Sequence, residues 1–227
     1  MTATRTRLGC LHMHHSNIPY IDGIVAPERV ELLHFVDPGL MRRIGSDASF
    51  DSNQAEQQVR RQLGWMAACG LDAILITCTN YIAVLPDESL DLAVPVIKID
   101  EPFFAHLLQQ PAPHLLLFTN PATVEGTMRR LDDFAKQTGQ QPGIEIEVIP
   151  DTFALVMAGE TAAYTMAVAA RLRDLARSGR YQAISVGQLS MADSARRVED
   201  ETGVPIGNPL DPLRIHLANE LGADTAS

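Results

Sequence analysis

Cys78 closes the stretch Leu71-Asp72-Ala73-Ile74-Leu75-Ile76-Thr77-Cys78-Thr79-Asn80-Tyr81, in which a near-continuous apolar run gives way to small polar residues. Such a run reads as a strand buried on both faces of a parallel sheet. The carboxyl end of that strand is where open α/β sheets bind ligands. A thiol placed there can carry a proton to or from carbon, or add to an activated double bond. The plainer reading makes Cys78 one more small buried hydrophobe, because free Cys is among the most buried residue types. A second stretch, Gly187-Gln188-Leu189-Ser190-Met191-Ala192, follows another apolar run farther along the chain. His12, His14 and His15 follow the first apolar run, and His12, nearest its end, is the candidate for proton transfer. A metal reading of these histidines finds no acidic or cysteine partner at ligand spacing.

The elements that must position these groups alternate. Strands are expected at 7–12, 30–36, 71–76, 94–99, 114–119, 144–149, 183–187 and 204–206. Helical patterns are expected at 52–69, from 101, at 123–136, 160–178 and 193–201, and from 211. Gly70 and Gly179 serve as C-terminal caps. A loop runs through 14–19, and Asp37-Pro38-Gly39 reads as a turn. Strands alternating with helices make this a parallel α/β protein.

The halves repeat. Val94-Pro95 and Val204-Pro205 stand 110 residues apart, as do Pro102 and Pro212, His106 and His216, and Ala73 and Ala183. The preceding helices match at 109: Val59 with Val168, Leu63 with Leu172, and Gly70 with Gly179. A register held over such lengths indicates a duplicated unit. The expected fold is two pseudo-symmetric, flavodoxin-like α/β/α lobes, residues 1–112 plus 209–227 and residues 113–208, with the site between them. In this register Gln188 falls opposite Cys78. A thiol on each lobe would move a proton from one face of a carbon to the other. Gln188 hydrogen-bonds but has no usable pKa.

Composition narrows the classes. The 227 residues carry 18 Lys and Arg against 28 Asp and Glu, a formal charge of −10 with no basic cluster, which argues against nucleic acid. The longest apolar runs are too short to span a bilayer, and His12, His14 and His15 interrupt the N-terminal segment, so neither a membrane span nor a signal peptide is expected. Three cysteines, Cys10, Cys69 and Cys78, cannot all pair, which suits a reducing cytoplasm.

Cys78-Thr79-Asn80 after a buried strand, with Gly187, Met191 and Ala192 around Gln188, resembles the aspartate/glutamate/hydantoin racemase superfamily over nearly the whole chain. That family's pattern has Cys-Asn-Thr-Ala in the first lobe and Gly-Cys-x-x-Met-Ala in the second. The resemblance implies chemistry at a carbon next to a carboxylate or carbonyl of a small acid: racemisation, cis–trans isomerisation or decarboxylation. It also implies no cofactor and no metal, and, since lobed enzymes of this kind commonly pair, a homo-oligomer. Asn17, Thr79, Asn80, Thr119, Gln188 and Ser190 are the candidates for binding the substrate, around a single motif thiol, Cys78, with His12 beside it. A catalytically silent ligand-binding protein of the same fold is the contrasting expectation.

Overall fold

The structure, a computed structural model, describes residues 5–85 and 90–221. It divides into two compact units, Met1–Asp100 with Arg214–Ser227, and Glu101–Leu213. The outermost parts of the expected first lobe, 1–4 and 222–227, lie outside the described residues.

The first unit runs β1 (Thr6–His12), α1 (Ile18–Asp22), β2 (Val30–Val36), α2 (Gly39–Ser46), α3 (Ser52–Ala67), β3 (Ala73–Ile76), α4 (Thr79–Ala83) and β4 (Val96–Lys98). Its sheet is parallel throughout, ordered β2-β1-β3-β4. Burial explains why these segments are strands. Residues 8–12 and all of Ala73–Ile76 are buried on both faces, as parallel strands between helical layers must be. α3 begins with a capping box, Asp51 Oδ1 accepting from Gln54 N while Gln54 Oε1 accepts from Asp51 N. It turns Ala55, Val59, Leu63 and Met66 inward, one helical stripe.

The second unit runs through α5 (Asp100–Leu108), β5 (His114–Phe118), α6 (Val124–Gln137), β6 (Ile144–Val148), α7 (Thr152–Met157), α8 (Thr161–Ser178), β7 (Ala183–Val186), α9 (Ala192–Thr202), β8 (Ile206–Gly207) and the start of α10 (Leu210–Leu221). The order β6-β5-β7-β8, again parallel, repeats the first sheet strand for strand. β5 alternates between two cores. Leu115 and Leu117 join Val168, Leu172 and Val198, whereas Leu116 and Phe118 join Phe103, Phe104 and Leu131. α5 thus packs in the second unit.

Strand pairing fixes which residues are equivalent. Leu8 stands level with Ala73, and His114 with Ala183. Because the two alanines correspond, Cys10 matches Leu116, His12 matches Phe118 and Met13 matches Thr119. On the neighbouring strands Leu32 matches Ile144, so His34 matches Ile146.

Gly70 and Gly179 have φ of +71° and +60°, the left-handed conformation of helix ends. Three expectations change. At Asp37-Pro38-Gly39 the turn, with Asp37 Oδ1 accepting from Gly39 N at 2.7 Å, launches a helix, α2. Another short helix, α1, occupies part of the expected loop at 14–19. β8 lies at Ile206–Gly207 rather than at 204–206. Among the described residues no helix is long and apolar enough to cross a membrane.

Candidate active site

In the first unit the polar groups collect where β1 and β3 end, the point at which the strand order β2-β1-β3-β4 reverses. Cys78 follows β3 directly and is the N-cap residue of α4. It is partly buried, and its sulfur lies 4.0 Å from Met13 Sδ. Burial pushes its thiol up, the backbone amides of Tyr81 and Asn80 pull it part of the way back, and the Asp100 carboxylate pushes it up again. The net shift is upward, so at neutral pH this sulfur carries its proton. Thr79 and Asn80 form the first turn of α4 and are partly exposed. Tyr81 is fully buried and donates to the carbonyl of Asp37, fastening α4 to the end of β2.

His12 is also fully buried. Its Nδ1 is hydrogen-bonded to Thr77 Oγ1 at 2.9 Å, and its Nε2 to His34 Nδ1 at 2.8 Å. His34 Nε2 donates to Asp22 Oδ1 at 3.0 Å. Asn17 Nδ2 reaches Thr77 Oγ1 from the other side, at 3.5 Å. A polar chain therefore runs Asp22–His34–His12–Thr77, ending one residue before Cys78. Burial holds the His12 imidazole down to about 4, His34 acts in the same direction, and Asp22 opposes both. Cys10 Sγ joins the two imidazoles: one ligand atom from each of Cys10, His12 and His34 lies within 4.8 Å of the others.

In the second unit Gln188 holds the position equivalent to Cys78. Its Oε1 accepts from Thr119 N at 2.6 Å, from Thr119 Oγ1 at 2.9 Å and from Asn120 N at 3.0 Å. Thr119 Oγ1 also meets Tyr164 OH at 3.1 Å, and Tyr164 OH meets Ser190 Oγ at 2.8 Å. Thr119, Gln188 and Ser190 thus form one network through Tyr164. The residue before Gln188 has to be glycine. A Cβ on Gly187 would stand 2.6 Å from Phe118 Cε1, too close for any side chain.

The structure brings Cys78, His12 and Asn17 to one sheet edge and joins Thr119, Gln188 and Ser190 at the other. Thr79 and Asn80 come with Cys78 by chain adjacency. Sequence reasoning missed Thr77, His34, Asp22 and Tyr164 as partners. His34 had a local signal, a polar residue within the apolar strand Val30–Val36. Tyr164 had none, being brought to Thr119 across 45 residues of chain. His14 has a structural task that its spacing did not reveal. Its Nδ1 accepts from Ser16 N at 3.2 Å, as Asn120 Oδ1 accepts from Ala122 N at the equivalent place.

Two parallel α/β units of one plan, each gathering its polar side chains at the ends of its middle strands and one of them offering a thiol there, have the make-up of the racemase and isomerase class of enzymes. The model of the Asp/Glu/hydantoin racemase family matches residues 13–219, and the chain belongs to that family. Solved structures of similar fold include an aspartate racemase from Picrophilus torridus, with 15% identity and a TM-score of 0.68, covering 96% of this chain and 95% of that one. An allantoin racemase from Klebsiella pneumoniae follows the same fold at 19% identity and a TM-score of 0.64, covering 97% and 90%. A glutamate racemase from Bacillus anthracis does so at 14% and 0.64, covering 96% and 82%. No curated protein sequence matches the chain.

Proposed function

We propose that the chain catalyses a cofactor-independent reaction at the carbon next to a carboxylate or carbonyl of a small acid, with Cys78 as its single working thiol. The observation that carries this reading is the pair of equivalent positions. Cys78 is a protonated, partly buried thiol at the end of β3, whereas Gln188 has no acid or base group and its oxygen is held by three donors. One thiol serves one face of a carbon. Loss of carbon dioxide breaks the bond to the carboxylate and leaves its electron pair on that carbon in an enolate-like intermediate. The Cys78 S–H donates its proton there, and the resulting thiolate is reprotonated by water.

In the first unit Thr79, Asn80 and Asn17 are the proposed hydrogen-bonding groups for the carboxylate and the developing oxyanion, and in the second unit Thr119 and Ser190 are the proposed substrate-binding groups. Gln188 holds the Thr119–Asn120 backbone in place. His12 enters as a positioning residue rather than as the missing base, because it is neutral at pH 7 and both ring nitrogens already have partners. Three free cysteines suit a reducing cytoplasm.

Proton NMR in heavy water tests the proposal, with amino acids, hydantoins including allantoin, maleate and aryl-substituted malonates as the panel. The proposal expects deuterium at the carbon next to the carboxylate of at least one compound, with the rate falling at least about 100-fold in Cys78→Ala. Turnover of the same compound at an unchanged rate in Cys78→Ala would remove the thiol from the mechanism.

A further inference from the structure

The family chemistry accounts for Cys78. It leaves unexplained the buried soft cluster behind it. We propose that Cys10, His12 and His34 form a binding site for a zinc-class divalent transition metal on the β1–β2 face of the first unit.

The duplication supplies the first argument. Cys10, His12 and His34 occupy the places that Leu116, Phe118 and Ile146 occupy in the second unit. The same strands in the same order are therefore built there with apolar side chains. Burying two imidazoles and a thiol is not a demand of the fold, and buried polar groups cost free energy unless satisfied. The cover differs too. β5 leads into α6, of 14 residues, whose Leu131 packs on Leu116 and Phe118, whereas β1 leads into α1, of five. With the shorter helix on this side, the His34 side chain keeps 19% of its surface exposed, and that is the route by which an ion enters.

The second argument is the direction of the lone pairs. A carboxylate only accepts, so His34 carries a proton on Nε2, facing Asp22, and its Nδ1 faces His12 as an acceptor. The Thr77 hydroxyl can donate to Leu11 O at 3.1 Å, which leaves Oγ1 to accept from His12 Nδ1–H at 2.9 Å. That is the tautomer of the metal-bound state. Without an ion the His12 proton lies on Nε2 and is donated to His34 Nδ1 at 2.8 Å, and an ion that takes its place leaves both lone pairs facing it. Two nitrogens and the Cys10 sulfur then converge, each within 4.8 Å of the others. This is a soft nitrogen and sulfur set of the kind that selects zinc over magnesium or calcium.

The outer partners of a metal-bound histidine are already in place. Metal-ligating imidazoles donate their second N–H to a carboxylate or another oxygen, which fixes the ring. Asp22 does this for His34, and Thr77 does it for His12. Binding requires the two nitrogens, now 2.8 Å apart, to open to roughly 3.3 Å around a tetrahedral ion. A metal–sulfur bond forms as the Cys10 thiol gives its proton to solvent, and water takes the fourth position.

The test is titration of the chelator-treated full chain with Co2+ alone, followed by displacement with Zn2+. The expected result is one equivalent of bound cobalt with a thiolate-to-cobalt charge-transfer band, released by zinc. Cys10→Leu and His34→Ile introduce the side chains that the second unit carries at these places, so a folded protein by circular dichroism is expected, with the band gone. Asp22→Asn leaves all three ligands and should weaken affinity roughly 10- to 100-fold. Absence of the band in the wild-type chain would overturn the proposal. So would a band that survives Cys10→Leu and disappears in Cys69→Ala or Cys78→Ala, because the ion would then sit on another thiol. The readout is metal binding, so it stands or falls separately from the proposed reaction.

Discussion

Replacing Gln188 by Leu tests whether this residue is a structural acceptor, as its three hydrogen bonds require. Leu has nearly the same bulk and no acceptor. The Thr119 hydroxyl retains Tyr164 as a partner, so the groups left without one are the backbone amides of Thr119 and Asn120. An orphaned buried amide costs about 1–3 kcal/mol. Gln188 is only half-buried, so water reaches part of this site, and the expected net loss is about 2 kcal/mol. For a cooperative unit of this size that is a fall in Tm of roughly 5–10 °C. Urea unfolding followed by circular dichroism should show a lower midpoint with an unchanged slope. Gln188→Glu is the control. Its carboxylate accepts from the same donors through charge-assisted bonds, so stability at pH 7 should equal or exceed that of the wild type. A Leu variant within about 0.3 kcal/mol of the wild type, or a Glu variant as unstable as the Leu one, would refute the assignment.

Three further outcomes are expected. Gly187→Ala should destabilise by about 1–3 kcal/mol through the clash with Phe118, and adding Phe118→Leu should recover part of that loss; purely additive effects in the double variant would show that the two residues do not meet. Burial, together with His106, holds His114 down to about 4, against the backbone of Leu107. The unfolded chain therefore binds a proton between the ordinary histidine value and 4 that the folded chain refuses, and stability should be full above about pH 6.5 and fall by about 1–2 kcal/mol as pH drops toward 4, a slope that His114→Gln should flatten. Iodoacetamide followed by mass spectrometry should label exposed Cys69 well before Cys78 at pH 7, with labelling of Cys78 gaining as pH rises; equal rates at pH 7 would contradict a protonated Cys78.

The duplication was legible because it rests on local patterns. Gly70 and Gly179 cap equivalent helices, and Ala73 and Ala183 open equivalent strands, so positions read along the chain carried over to the sheets. β2, β5 and α8 fell within a residue of their expected bounds for the same reason. Short helices escaped. α4 has five residues and α7 six, too few to show helical periodicity, and α4 is what aims two backbone amides at Cys78. At the site, residue types next to strand ends were readable, but their partners were not. His12 read as an available base because nothing local shows that His34, 22 residues away, and Thr77, 65 residues away, engage its two nitrogens. Gln188 read as a substrate-binding side chain, whereas its oxygen is engaged by Thr119 and Asn120.

The central claim is that one thiol acts on one face of the reacting carbon. It is tested most directly by following deuterium uptake and optical rotation together in heavy water, for whichever panel compound the enzyme turns over. The account predicts a product deuterated in a single configuration, with both signals lost in Cys78→Ala. Interconversion of mirror-image forms at the rate of deuterium uptake would contradict it, because a second base would then be working opposite Cys78.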